Sequence, residues 1–153
     1  MALFLVQHGR SLTKEEDPEQ GLSGEGLADT ERIAGVAKGY GVRPSCIAHS
    51  GKKRARQTAE LIAGALQPEK GIQARTGLNP LDDVEAVAKT LDRSEDLMLV
   101  GHLPFMERLA SYLITGSGER PVFKFQNSGI VCLDKDPDKP SWFIKWALMP
   151  KIP

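Results

Sequence analysis

Residues 97–104 read LMLVGHLP, and this stretch decides the fold. Four apolar residues in succession, without polar alternation, suit a strand buried on both faces. Gly101 ends the run and His102 follows it. Pro104 then suits the first turn of a helix, which the apolar spacing carries to about Thr115. Upstream, ALFLVQ (2–7) is a second such run, closed in the same way by His8 and Gly9. Two shorter strands are expected at CIAH (46–49) and near Ile72.

Helical patterns separate these strands. Ser23 suits an N-cap for a helix to about Gly39, with Leu27, Thr30, Ile33, Ala37 and Tyr40 facing inward. Ser50 suits the cap of a helix over roughly 52–66, with Ala55, Thr58, Ala59, Ile62, Ala63 and Leu66 on one face. A further helix is expected from about Asp82 to Leu91, with Val84, Val87, Ala88 and Leu91 inward. SGIVCL (128–133) and WFIKWALM (142–149) then read as strands joined by the hairpin loop DKDPDKP (134–140). The alternation predicts a three-layer α/β/α sandwich with a mainly parallel sheet and an antiparallel edge. One domain over 1–153 is the expectation for this length.

Composition narrows the function. The chain has 153 residues, with 20 Lys+Arg against 20 Asp+Glu. A formal net charge of zero argues against a chain-wide polyanion-binding surface, so no nucleic-acid partner is expected and phosphate affinity must come from a local cluster. The run MALFLV is too short for a signal-peptide core or a membrane span, so no membrane partner is expected either. Two cysteines without a CxxC pair exclude a disulfide scaffold and a zinc finger, and point to a reduced, cytoplasmic setting. Cys46 and Cys132 lie in apolar strand runs and read as core.

In a parallel sheet of this type, ligands bind beyond the carboxyl ends of the strands. Three segments end there in chemically capable residues: Gln7, His8 and Gly9; Ser50 to Arg56; and His102. A lone histidine in such a loop has a bland explanation as a hydrogen-bonded structural residue. Two in matching positions beside glycines point to a shared site. Lys52, Lys53, Arg54 and Arg56 fall at the start of a helix, where the dipole disfavours cations. An anion held there resolves the conflict, and phosphate suits guanidinium donors. No HxxxH, HxH or His/Cys spacing supports a metal site. The GxSxG serine nucleophile signature is absent. His49 reads as structural.

Together these segments resemble the histidine phosphatase superfamily, which has the phosphoglycerate mutase-like fold. Its opening Arg-His-Gly appears as Gln7-His8-Gly9. Its second motif appears as Ser50, Arg54, Ala55, Gln57, Thr58 and Ala59. Its third appears as Gly101, His102 and Pro104. The short chain is most similar to the SixA-type phosphohistidine phosphatase branch. The resemblance implies that His8 attacks phosphorus to form a transient phosphohistidine, while Arg54 and His102 bind the phosphoryl oxygens. Gln7 and Gly9 complete the phosphate site, and water releases inorganic phosphate. No cofactor or metal is implied. The implied partner is a phosphorylated protein substrate or a small phosphate ester.

Two departures bear on the reaction. Gln7 replaces a charged arginine, a loss of about 1.5–3 kcal/mol if nothing compensates. Arg10 is the first candidate to restore the charge, with Lys52 and Lys53 as others. The loop where relatives commonly carry a glutamate proton donor reads TGLNPLDDVEAV (76–87) and offers Asp82, Asp83 and Glu85; Asp17 is another candidate acid. Alkoxide leaving groups need a proton, whereas imidazole departs readily from phosphohistidine. A weak or absent acid therefore favours a phosphohistidine protein as substrate. A small-molecule phosphomonoesterase and a phosphate-binding pseudophosphatase are the alternatives.

Overall fold

A computed structural model of the chain describes residues 1–91 and 95–153. Its elements are β1 (Ala2–Gln7), α1 (Gly24–Gly39), β2 (Cys46–His49), α2 (Lys53–Leu66), β3 (Ile72–Ala74), α3 (Val84–Lys89), β4 (Leu97–Gly101), α4 (Phe105–Thr115), β5 (Ile130–Lys135) and β6 (Trp142–Leu148). The strands form one sheet in the order β3-β2-β4-β1-β5-β6. β3, β2, β4 and β1 run parallel to one another, and β5, antiparallel to β1, and β6 add an antiparallel edge.

The uninterrupted apolar runs are explained by helices on both faces. Leu3, Leu5 and Leu99 pack with Phe105, Met106 and Leu109 of α4 and with Val84 and Val87 of α3. Phe4, Val6, Met98 and Val100 pack with Ile33, Ala34 and Ala37 of α1 and with Ala55, Ala59 and Ile62 of α2. Period-two alternation thus sends successive residues of one strand into two separate cores. This is the expected three-layer sandwich.

Local boundaries differ from the sequence reading in instructive ways. Ser23 caps α1, its side chain accepting the Gly26 N–H. The buried stripe of α1 is Gly26, Thr30, Ile33, Ala34 and Ala37, which leaves Leu27 and Tyr40 at its margins; Tyr40 is 82% exposed. Ser50 does not cap α2. Lys52 occupies that position and makes no side-chain cap bond, since its ammonium has no acceptor to offer, while the Ser50 hydroxyl lies against His102. α3 is shorter than expected, beginning after its cap Asp83 and ending at Lys89. β5 starts at Ile130 rather than 128, because Ser128 adopts φ +69° in the preceding turn. Among the described residues, no helix is long and apolar enough to cross a membrane.

Candidate active site

Strand register brings the two histidines together. Gln7 pairs with Gly101 in the parallel β1/β4 ladder, so the residues that follow, His8 and His102, leave the same sheet edge side by side. The His8 N–H donates to the Gly101 carbonyl at 2.9 Å, extending the ladder by one bond. The imidazole centroids are 5.0 Å apart, with ring planes inclined by 55°. β2 lies on the other side of β4, and His49 pairs with Val100. The next residue, Ser50, therefore reaches His102, and its Oγ lies 2.6 Å from His102 Nε2.

The His8 loop is fixed from three directions. The Gly9 N–H donates to Thr58 Oγ1 at 2.9 Å, and the Thr58 hydroxyl donates to the Arg54 carbonyl at 2.8 Å. The nucleophile loop is thereby tied to the first turn of α2, which carries Arg54. Asn127 Nδ2 donates to the His8 carbonyl at 2.9 Å, and the Ser128 N–H donates to that of Gln7 at 2.9 Å. Gly9 itself is required. A Cβ there would meet Thr30 Oγ1 at 2.8 Å and Ser128 Oγ at 3.0 Å, and these two hydroxyls hydrogen-bond each other in the core. A Cβ at Gly101 would meet Met106 Cε at 2.7 Å.

The geometry sets the chemistry of His8. Its Nδ1 lies 2.6 Å from the Gly9 carbonyl oxygen. A carbonyl only accepts, so Nδ1 carries the proton and Nε2 keeps its lone pair. Burial lowers the His8 pKa to about 4; the Gly9 bond opposes the shift and the Arg54 charge adds to it. Burial, followed by the His8, Arg54 and Lys52 charges, lowers His102 to about 3. Both rings are therefore neutral near pH 7, and His8 offers an unprotonated nucleophilic nitrogen. His102 is 2% exposed, and its Nδ1 is buried without a hydrogen-bond partner, as is Gln7 Oε1. Orphaned buried polar atoms cost about 1–3 kcal/mol each, and both belong to residues at this sheet edge, where Gln7 pairs with Gly101 and His102 follows.

The other nominated residues sit differently. The Arg10 side chain is exposed, with Nη1 at 3.5 Å from Glu25. Asp17 accepts from Lys53 Nζ at 2.8 Å and from the Gly21 N–H at 2.9 Å. The Lys53 hydrogen bond, with those of the Gly21 and Glu19 N–H groups, lowers its pKa to about 2. Asp82 accepts the Asn79 N–H at 2.8 Å, and Asp83 accepts the Glu85 N–H at 3.0 Å as the α3 cap. His49 Nδ1 accepts the Gly51 N–H at 3.1 Å, and burial lowers its pKa. Both cysteines are buried thiols, and burial raises Cys132 to about 11. Among the described residues, no group of three or more His, Cys, Asp or Glu side chains gathers to hold a metal ion. Asn127 and Ser128 were not singled out in the sequence; the FQNSG turn (125–129) was the available signal.

A sequence profile of the histidine phosphatase superfamily, branch 1, matches residues 3–85, more than half of the chain. The chain belongs to the histidine phosphatase superfamily. Two solved SixA structures resemble this superfamily member over nearly their whole length. The protein histidine phosphatase SixA, complexed with tungstate, superposes with a TM-score of 0.83 at 26% identity, covering 98% of this chain and 97% of that one. A candidate phosphohistidine phosphatase SixA from Agrobacterium tumefaciens gives 0.78 at 26% identity, covering 97% of both chains. A candidate alpha-ribazole-5'-P phosphatase from Escherichia coli gives 0.75 at 16% identity, covering 100% and 99%, and shows the shared fold alone. No curated protein sequence matches the chain significantly. Superfamily membership and the SixA likeness support phosphatase activity.

Proposed function

We propose that this histidine phosphatase hydrolyses phosphohistidine on a protein, through a phosphoryl group carried transiently on His8. His8 Nε2 donates its lone pair to phosphorus as the substrate P–N bond breaks. A substrate imidazole protonated at its other nitrogen leaves as a neutral ring, so it draws no proton from the enzyme. Arg54 and His102 stabilise the charge on the equatorial phosphoryl oxygens. Water then attacks the phosphorylated His8, releasing inorganic phosphate and restoring the neutral ring. The chemistry assigned to these residues needs no cofactor.

One observation carries the choice of substrate: Asp17, Asp82 and Asp83 are each committed as hydrogen-bond acceptors, and the remaining candidate, Glu85, is exposed to solvent on α3. Asp17, with its pKa at about 2, holds no proton to give at neutral pH. Asp82 and Asp83 are engaged by backbone N–H groups. General acid catalysis is worth about 10²–10⁴-fold for a poor leaving group and little for one that departs neutral. The test is kcat/KM on a phosphohistidine protein against a phosphoserine peptide and a sugar phosphate. The reading expects the phosphohistidine protein to exceed both by about a hundredfold or more. Comparable or higher turnover of the esters would make the chain a small-molecule phosphomonoesterase. Phosphate binding with no turnover of any substrate would make it a pseudophosphatase.

A further inference from the structure

The site holds too little positive charge for the group it is read to bind. A phosphoryl dianion carries two negative charges. The His8 and His102 rings are neutral near pH 7 and the Gln7 amide is uncharged, which leaves Arg54 as the cation whose charge acts on both rings. Four further cations lie close in sequence to the site, and three of them face carboxylates. Arg10 lies 3.5 Å from Glu25. Lys53 lies 2.8 Å from Asp17 and 3.9 Å from Glu19. Arg56 lies 3.6 Å from Glu60. Lys52 has no carboxylate within 4.0 Å among the described residues.

Lys52 is also placed by the backbone at the rim of the site. It is the N-cap of α2, two residues before Arg54, and the first turn of that helix contains no acidic residue. Its N–H lies 3.4 Å from Ser50 Oγ, which in turn lies 2.6 Å from His102 Nε2. An unpaired ammonium at the positive end of a helix is disfavoured unless an anion is present. The Lys52 charge is among those that act on the His102 ring, which puts it within electrostatic reach of the site.

We propose that Lys52 supplies the second positive charge for the phosphoryl dianion, as a phosphate-binding residue beside Arg54. The proposal rests on the phosphatase reading of the site, and it selects one cation where the sequence left three. The side chain is exposed, so its contribution is screened. A unit charge about 6 Å from a dianion in water changes affinity about tenfold at low salt and about threefold at physiological ionic strength.

The experiment measures inorganic phosphate binding by calorimetry for the full chain and for Lys52→Gln, Lys52→Arg, Arg56→Gln and Arg54→Gln. Direct binding keeps the test independent of turnover. Lys52→Gln is expected to raise the phosphate Kd about three- to tenfold at low salt, with the gap narrowing as salt is added. Lys52→Arg should stay near wild type, and Arg56→Gln should change Kd less than about twofold. If Arg54→Gln weakens binding while Lys52→Gln matches wild type at low salt, the Lys52 proposal is overturned and the site reading stands. If Arg54→Gln also leaves Kd unchanged, the phosphate site itself is misplaced and the proposal falls with it.

Discussion

Lowering the pH should leave the His8 nucleophile untouched across a range in which an ordinary histidine would be lost. An imidazole of ordinary pKa, about 6.5, is only about one-tenth neutral at about pH 5.5, which alone would cut a neutral-nucleophile rate about tenfold. With its pKa lowered to about 4, chiefly by burial, His8 remains almost wholly neutral there. The assay is a ring-nitrogen NMR titration of the free protein, which avoids the ionisation of any substrate. His8 should keep the Nδ1–H tautomer, held by the Gly9 carbonyl, down to about pH 5. Because burial outweighs the Arg54 charge, Arg54→Gln should raise the His8 pKa only slightly, leaving it well below 6.5. The same shifts set the sign of a stability change. Between about pH 6.5 and 4 the unfolded chain binds protons on these rings that the folded chain does not. Stability is therefore complete above about 6.5 and declines as pH falls toward 4. A His8 ring titrating near 6.5, or found as the Nε2–H tautomer, would refute the reasoning.

Gly9→Ala should destabilise the fold by about 1–3 kcal/mol in urea unfolding and reduce kcat sharply, because its Cβ would press on the Thr30–Ser128 hydroxyl pair. Thr58→Val is nearly isosteric but strands the buried Gly9 N–H, so a loss of about 1–3 kcal/mol is expected in the same assay, with reduced turnover as the nucleophile loop loosens. Asp17→Asn should leave phosphohistidine turnover within about twofold while lowering thermal stability at neutral pH, since it weakens the Lys53 pair; a large loss of kcat would reinstate Asp17 as the proton donor. Arg10→Ala should change turnover less than about twofold, because Arg10 faces Glu25 in solvent.

Much of this was legible in the chain, for a physical reason. A parallel strand in the middle of a sheet must be apolar on both faces, so LMLVG and ALFLVQ announce themselves, and register alone then delivers His8 and His102 to one edge. Side-chain oxygens were harder to place, because one hydroxyl or carboxylate can satisfy several donors. Ser50 has the composition of a helix cap, yet it serves the His102 ring, a contact 52 residues away in sequence. Asp17 has the composition of an acid, yet Lys53 on α2 claims it from 36 residues away. Asn127 lies 119 residues from the His8 carbonyl it binds, and no local pattern signals such a bond.

The most direct test of the account is to mix the protein with a phosphohistidine protein, quench within one turnover, and map the phosphoryl group by mass spectrometry under alkaline conditions that preserve P–N bonds. The account predicts an acid-labile phosphoryl group on His8, absent from His8→Ala, whose phosphohistidine turnover is lost while its fold is retained. Undiminished turnover by His8→Ala, or a phosphoryl group trapped on another residue, would contradict it.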